Sequence, residues 1–181
     1  MIYNQKCLPY IYPPATVLPS PPSQAEAKLY YTGLHSAPVL VARTGTTLWE
    51  EPTSPESHWH QELKLKELHP IGNHAIKAVW EDNMAFKLHD LLESMQVKWT
   101  STDVLRIGYV GEHSAPVVLW IGVMPASLSG NDGVSVVSKC QELLGEYNIT
   151  DVNVEIRESE LVSPKLLMPA YTDKPTVVVV D

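Results

Sequence analysis

Basic residues, cysteines and long apolar runs are all scarce in this chain, and each shortage closes off a class of function. Thirteen Lys and Arg stand against twenty-one Asp and Glu, a net charge of −8 over 181 residues. Nucleic-acid binding relies on a basic surface that displaces counterions from phosphates, and docking to anionic lipid needs the same sign. No nucleic-acid and no membrane partner is therefore expected. Only Cys7 and Cys140 are present. A disulfide between them is not expected, and two isolated thiols suit a reducing, cytoplasmic setting. The longest apolar run, Ala115 to Ala126, is too short and too broken by Pro and Gly to span a bilayer, and the N-terminus has no apolar core of the signal-peptide kind. Phosphate-binding glycine loops and the G-x-S-x-G elbow are missing too, so no cofactor is expected.

What is present begins with proline. Pro9, Pro13, Pro14, Pro19, Pro21 and Pro22 fall within the first 25 residues. Such a stretch builds neither helix nor ladder, which sets residues 1–27 apart as an extended or disordered Pro-rich arm. Tyr3, Tyr10 and Tyr12 could lay it on the domain, and no basic residue flanks a clean PxxP core.

The most informative stretch runs from Asp103 to Arg157. Leu105, Ile107 and Tyr109 alternate with Arg106 and Gly108, a strand with one wet face over 103–110. Gly111 to Ser114 turns the chain, and 116–123 is apolar on both faces, which fits a central strand. Val136, Val137, Cys140, Leu143, Leu144 and Tyr147 then recur at helical spacing over 131–146, with Asn131 or Asp132 as the cap. Cys140 on that face reads as a small buried hydrophobe. Val152, Val154 and Ile156 alternate with Asn153, Glu155 and Arg157, and a charged outer face suits an edge strand over 151–157. Upstream, 38–43 is a second apolar strand. Met84, Leu88, Leu91, Leu92 and Met95 predict a helix over 82–95 capped by Asp82, Glu56 to Leu68 fits a helix, and Ala75 to Trp80 fits a short strand. Trp80, Trp99 and Trp120 read as core. The elements give βαββαβ, an α+β ferredoxin-like sandwich: an antiparallel sheet with helices on one face, 38–43 and 116–123 central, 103–110 and 151–157 at the edges. Residues 28–160 form this domain, 44–80 being an insertion or the source of the first strand. Residues 161–181 form a tail, whose β-prone end at Thr176 to Val180 would add to a sheet edge or aggregate.

One internal match stands out: Tyr31 to Val41 and Tyr109 to Leu119 agree at seven of eleven positions, both turn-then-strand. Similarity fades downstream, so duplication and shared turn chemistry both remain open.

Two places carry residue types with chemical potential. His58, His60, His69 and His74 could ligate zinc or nickel if a strand presented them to one face, although a helix over 56–68 would turn His58 and His60 apart. Ser127, Ser129, Gly130, Asn131 and Gly133 lie between a strand and a helix N-terminus, where backbone N–H groups can hold an anion; Asp132 would oppose a phosphate, and turn plus N-cap accounts for the same residues. His35-Ser36 and His113-Ser114 are adjacent pairs, poorly placed for a catalytic hydrogen bond.

Arg43-Thr-Gly-Thr46, Trp49-Glu-Glu-Pro52, Lys98-Trp-Thr-Ser101, Ile121-Gly-Val-Met-Pro125, Ser127-Leu-Ser-Gly130 and Pro164-Lys-Leu-Leu167 resemble a group of uncharacterised fungal proteins, over about Tyr30 to Leu167. In some longer relatives a segment similar to a trypsin-like serine protease follows. The resemblance implies an accessory domain with no assigned activity, standing alone or truncated, and supplies no catalytic residues. The expected function is a non-enzymatic protein-interaction or regulatory module docking through a sheet face or edge strand. The alternative is a hydrolase fragment or relative, or a small metal-binding enzyme using the histidines.

Overall fold

The structure, a computed structural model, describes residues 19–51 and 64–159 and the backbone of 177–179. Its elements in chain order are helix α1 (Gln24–Leu29), strand β1 (Leu40–Arg43), strand β2 (Lys66–His69), helix α2 (Ile76–Val79), a π-helical turn (Trp80–Met84), helix α3 (Ala85–Ser94), strand β3 (Trp99–Tyr109), strand β4 (Val117–Val123), helix α4 (Gly130–Glu146), strand β5 (Val152–Glu158) and strand β6 (Val177–Val179).

The helical layer follows from one spacing. Ile76, Trp80, Met84, Leu88 and Leu92 stand four residues apart and are all buried. An α-helix closes a turn in 3.6 residues, so each four-residue step drifts round the axis by about 40°. The π turn at Trp80–Met84 absorbs an extra residue and keeps the series on one side. Helical order thus starts at Ile76. The expected strand at Ala75–Trp80 is replaced by α2 and the start of the π turn, because Ile76 and Trp80 belong to the same buried stripe as Met84, Leu88 and Leu92. Helix α4 runs as its periodicity predicts, with Val136, Val137, Cys140 and Leu144 against the sheet.

The sheet is mixed, in the order β1-β5-β4-β3-β2, with β6 also on β3. Strands β3 and β4 form an antiparallel hairpin, β5 is parallel to β4 across the α4 crossover, and β1 is antiparallel to β5. The α+β class and the central place of β4 match the sequence, but the ferredoxin-like order and the all-antiparallel sheet do not. That order would slot β1 between β4 and β5; here β4, α4 and β5 form an unsplit crossover and β1 lies outside it. Two features explain why β1 looked central. α4 covers one face of it, where Gly133 would bring a Cβ within 3.0 Å of Ala42 Cβ, while Leu40 joins a second core on the other face. A register shift between Leu40 and Ala42 marks β1 as an edge. The helix expected over Glu56 to Leu68 lies partly outside the described residues, and its end, Lys66–His69, is strand β2, antiparallel to the last residues of β3.

Both faces of the sheet are covered. Val104, Val117, Leu119, Ile121, Val123, Val152, Val154 and Ile156 meet α2, α3 and α4. Leu105, Ile107, Val118 and Trp120 point the other way, into a smaller core closed by Tyr30, Tyr31, Leu34 and Leu40. The two copies of the internal match thus meet different fates. Gly33 (φ +102°) and Gly111 (φ +83°) both turn the chain with left-handed backbone, yet Tyr31 is buried and Tyr109 is exposed. Gly33 also sits where a Cβ would lie 2.8 Å from the Lys66 backbone, so only glycine lets the strap dock on β2.

Leu119, fully buried at the centre of β4, tests this arrangement. Leu119→Ala is expected to lower unfolding free energy by about 2–5 kcal/mol in urea denaturation. A loss below about 1 kcal/mol would be incompatible with a β4 packed on both sides.

Candidate functional site

Register places Asp103, Trp120, Glu155 and Arg43 side by side across β3, β4, β5 and β1. All four face the smaller core, so a line of polar groups crosses an otherwise apolar surface. Glu155 is 4% exposed and sits in the middle of it. Its two carboxylate oxygens accept hydrogen bonds of 2.7 Å from Tyr30 Oη and Tyr31 Oη, and Trp120 Nε1 donates to Tyr31 Oη at 3.0 Å. Burial, and after it the Glu155 charge, raises both phenols well above their ordinary range, so they remain donors.

Lys66 closes this group from β2. Its Nζ lies 3.1 Å from the Tyr30 ring centroid, with Tyr31 at 5.5 Å and Tyr109 at 5.8 Å. Burial pushes the amine down to about 8, against the pull of Glu155, which raises it. A cation over an electron-rich ring near a buried carboxylate is a structural clamp: it ties β2, the 30–34 strap and β5 together. At the open end of the line, Arg43 Nε bonds Glu26 Oε1 at 2.8 Å, and its other nitrogens reach the carbonyls of Gly45 and Thr47. At the other end the Arg157 guanidinium carbon stands 3.7 Å from the Trp120 ring centroid, and Nη2 is 3.7 Å from Asp103 Oδ2. Ser101 Oγ donates to the same oxygen at 3.1 Å. Burial raises Asp103, more than Ser101 and Arg157 lower it.

The second feature is the outer edge of β3. Strand β2 occupies it only from Arg106 to Tyr109. The rest would be bare, and the three residues of β6 pair with it in parallel, Thr102 with Val177, Asp103 with Val178 and Val104 with Val179. The β-prone end of the tail therefore adds to a sheet edge, the first of the two outcomes its composition allows. On the helical side of the same edge, His89 stacks on Trp99 with centroids 4.3 Å apart, and its Nε2 lies 3.0 Å from Thr102 Oγ1. Phe86, one turn earlier on α3, is 65% exposed.

The residues singled out from sequence are distributed differently. His58 and His60 lie outside the described residues. His69 is on β2 with Nε2 3.1 Å from Glu67 Oε1; His74 accepts the Ile76 amide on Nδ1 and faces Asp151 Oδ2 at 3.2 Å. Among the described residues no three His, Cys, Asp or Glu come together as metal ligands. In the β4–α4 loop Ser129, rather than Asn131 or Asp132, is the N-cap. Its Oγ accepts from the Asp132 amide at 3.2 Å and donates to Asp132 Oδ2 at 2.6 Å. Ser127 Oγ donates to Met124 O, Gly133 packs on Val41 and Ala42, and Gly130 on Pro21. Asn131 O accepts from Ser135 Oγ at 3.4 Å. Turn, cap and packing thus engage this loop. Cys140 is buried and its thiol is pushed up to about 12 by burial, leaving little thiolate for reaction. Among the described residues no helix is long and apolar enough to cross a membrane. Sequence reasoning missed Tyr30, Tyr31, Lys66 and Glu155 as a unit. The available signal was a glutamate inside a strand whose every second residue is Val or Ile, which reads equally as a wet face.

Comparison with family models, with curated proteins and with solved structures returns no match for this chain.

Two outcomes test the clamp. Tyr31→Phe removes one donor from Glu155 and leaves Trp120 Nε1 without its acceptor, so a loss of about 1–3 kcal/mol in urea denaturation is expected. Lys66 makes a pH-dependent contribution. The unfolded chain binds its proton up to about 10.5 and the folded chain only to about 8, so stability rises with pH between those values. The two phenols act oppositely above their ordinary 10.0, where the unfolded chain ionises first and stability falls. Wild type should therefore gain stability relative to Lys66→Met between pH 8 and 10. A gap that stays constant over that range would place Lys66 in water.

Proposed function

We propose that this chain is a non-enzymatic protein-interaction module, whose docking surface is the outer edge of β3 between Trp99 and Val104. The observation that carries this reading is β6: an extended segment, Val177–Val179, pairs on that edge in a defined parallel register. An edge that holds one extended segment by main-chain hydrogen bonds offers the same donors and acceptors to another. Phe86, His89 and Trp99 give the edge a side wall of ring surface on the α3 side, which supplies side-chain contact to a backbone interaction. In this reading β6 is the intramolecular occupant and a partner protein supplies the competing strand.

The test uses the full chain carrying Val178→Pro, which weakens pairing of its own segment, and a fluorescent peptide with the sequence of residues 175–181. The variant should bind the peptide with its fold retained by circular dichroism. Wild type should bind at least about tenfold more weakly, because a tethered segment competes at an effective concentration near millimolar. Absence of binding by a folded variant would sink the strand-docking reading.

A further inference from the structure

The docking edge carries a buried carboxylate, Asp103, whose nearest cation among the described residues stands 3.7 Å away. Asp103 lies at the middle of the β6 contact, in register with Val178. Successive residues of a strand face opposite sides of the sheet, and in-register residues of neighbouring parallel strands share a side about 4.8 Å apart. A partner residue in place of Val178 therefore shares the face of Asp103, and residues in place of Val177 and Val179 share the opposite face with Thr102 and Val104.

The surroundings of Asp103 are built for one more positive charge. Its side chain is 12% exposed, and its hydrogen-bonded neighbour, Ser101, is neutral. Arg157 is the nearest cation among the described residues, but at 3.7 Å it is beyond a close ion pair. That guanidinium is held on Trp120, and its Nε has no hydrogen-bond partner among the described residues. Burial outweighing these two neighbours is also why the Asp103 carboxyl sits above its ordinary range. Glu155, two strands away, is engaged by Tyr30 and Tyr31 and does not compete for an incoming cation. The flanking positions call for different chemistry. Val104 is buried on the helical side, and Thr102 is fully buried with its hydroxyl at His89. Apolar β-branched residues suit both.

We infer that the partner of this edge is an extended segment of the pattern apolar–basic–apolar, docking parallel to β3 with its Lys or Arg beside Asp103. The inference rests on the strand-docking reading and names the partner's chemistry. It also accounts for exchange: a partner Lys or Arg adds a close cation beside Asp103, which a valine at that register position cannot supply, and this favours the partner over the tethered segment. The net charge of −8 favours a basic segment at longer range as well.

Four peptides spanning residues 175–181 distinguish the cases: the native one and ones with Val178→Lys, Val178→Glu and Val177→Lys. Each is titrated against the full chain carrying Val178→Pro, and against the same chain carrying Asp103→Asn in addition. The Lys peptide should bind at least about tenfold tighter than the Glu peptide, and the gap should shrink below about threefold with Asp103→Asn. Moving the lysine to position 177 should weaken binding relative to the native peptide, since that residue faces the helical layer. If the native peptide binds but Lys and Glu peptides are equal, the pairing with Asp103 is wrong and the docking edge stands. A gap that persists with Asp103→Asn would likewise overturn it. If no peptide binds the folded chain, both readings fall together.

Discussion

The contact on which the second face of the sheet depends is a carboxylate buried between two phenols. Glu155 sits on β5, inside the sheet and on the face opposite α2, α3 and α4, in a small core of Leu, Val and Trp side chains. An ionised carboxylate taken from water without partners costs several kcal/mol, more than any one apolar contact nearby returns. Two charge-assisted hydrogen bonds of 2.7 Å, roughly twice as strong as neutral ones, offset much of that cost. The partners come from Tyr30 and Tyr31, consecutive residues more than a hundred positions away. Their rings also bury the apolar surface of Leu105, Ile107, Val118 and Trp120. The area is hydrophobic and supplies the attraction; the carboxylate decides where the strap must sit. Lys66 adds β2 to the same clamp through the Tyr30 ring. Strap, edge strand and sheet centre are thereby one cooperative unit rather than three neighbours.

On the helical side the organising constraint is spacing. The four-residue series from Ile76 to Leu92 stays on one face only because the turn at Trp80–Met84 widens. Trp80 Nε1 is buried without a hydrogen-bond partner among the described residues, a local cost of keeping the indole in the core. With α2–α3 and α4 sharing that face, β4 and β5 can be adjacent through a direct crossover. β1 is then left outside β5, where Gly133 lets α4 approach it closely.

What was legible in the sequence was whatever has a period. Helix α4, the hairpin of β3 and β4, and β5 are found within a residue or two of their limits, apart from the early start of β3 at Trp99, because burial repeats along them. The order of the strands was not legible. An edge strand buried on both faces, such as β1, and a central strand have the same composition. Nor was the polar line across the second face. Glu155 and Arg157 alternate with Val154 and Ile156 as residues on a wet face do, and only the approach of a distant Tyr-Tyr pair turns that face into an interior. Short elements failed for another reason: four residues of β2 or α2 hold too few repeats to separate periods of 2 and 3.6, so tertiary partners decide. The β-prone tail end was legible as a strand in search of an edge, but its edge was not.

Which edge it takes follows from how the two ends of the sheet are protected. At the β1 end, Arg43 is fastened to Glu26 and to the carbonyls of Gly45 and Thr47, and the register shift distorts the ladder, so a further strand meets an occupied and irregular rim. At the β3 end the rim is divided: β2 covers Arg106 to Tyr109 and leaves the regular stretch before it to three residues of β6. Ordering three backbone residues costs about 3–6 kcal/mol, at 1–2 each. The few hydrogen bonds available return about 0.5–1.5 each. Main-chain pairing alone therefore does not hold β6 firmly, and its occupancy depends on tethering as well. A separate strand gains no tether, so it must bring interactions the tethered one lacks. Along this stretch Asp103 has Arg157 no nearer than 3.7 Å, so in the proposed docking the chemistry of an incoming segment, more than its length, decides whether it displaces the resident strand.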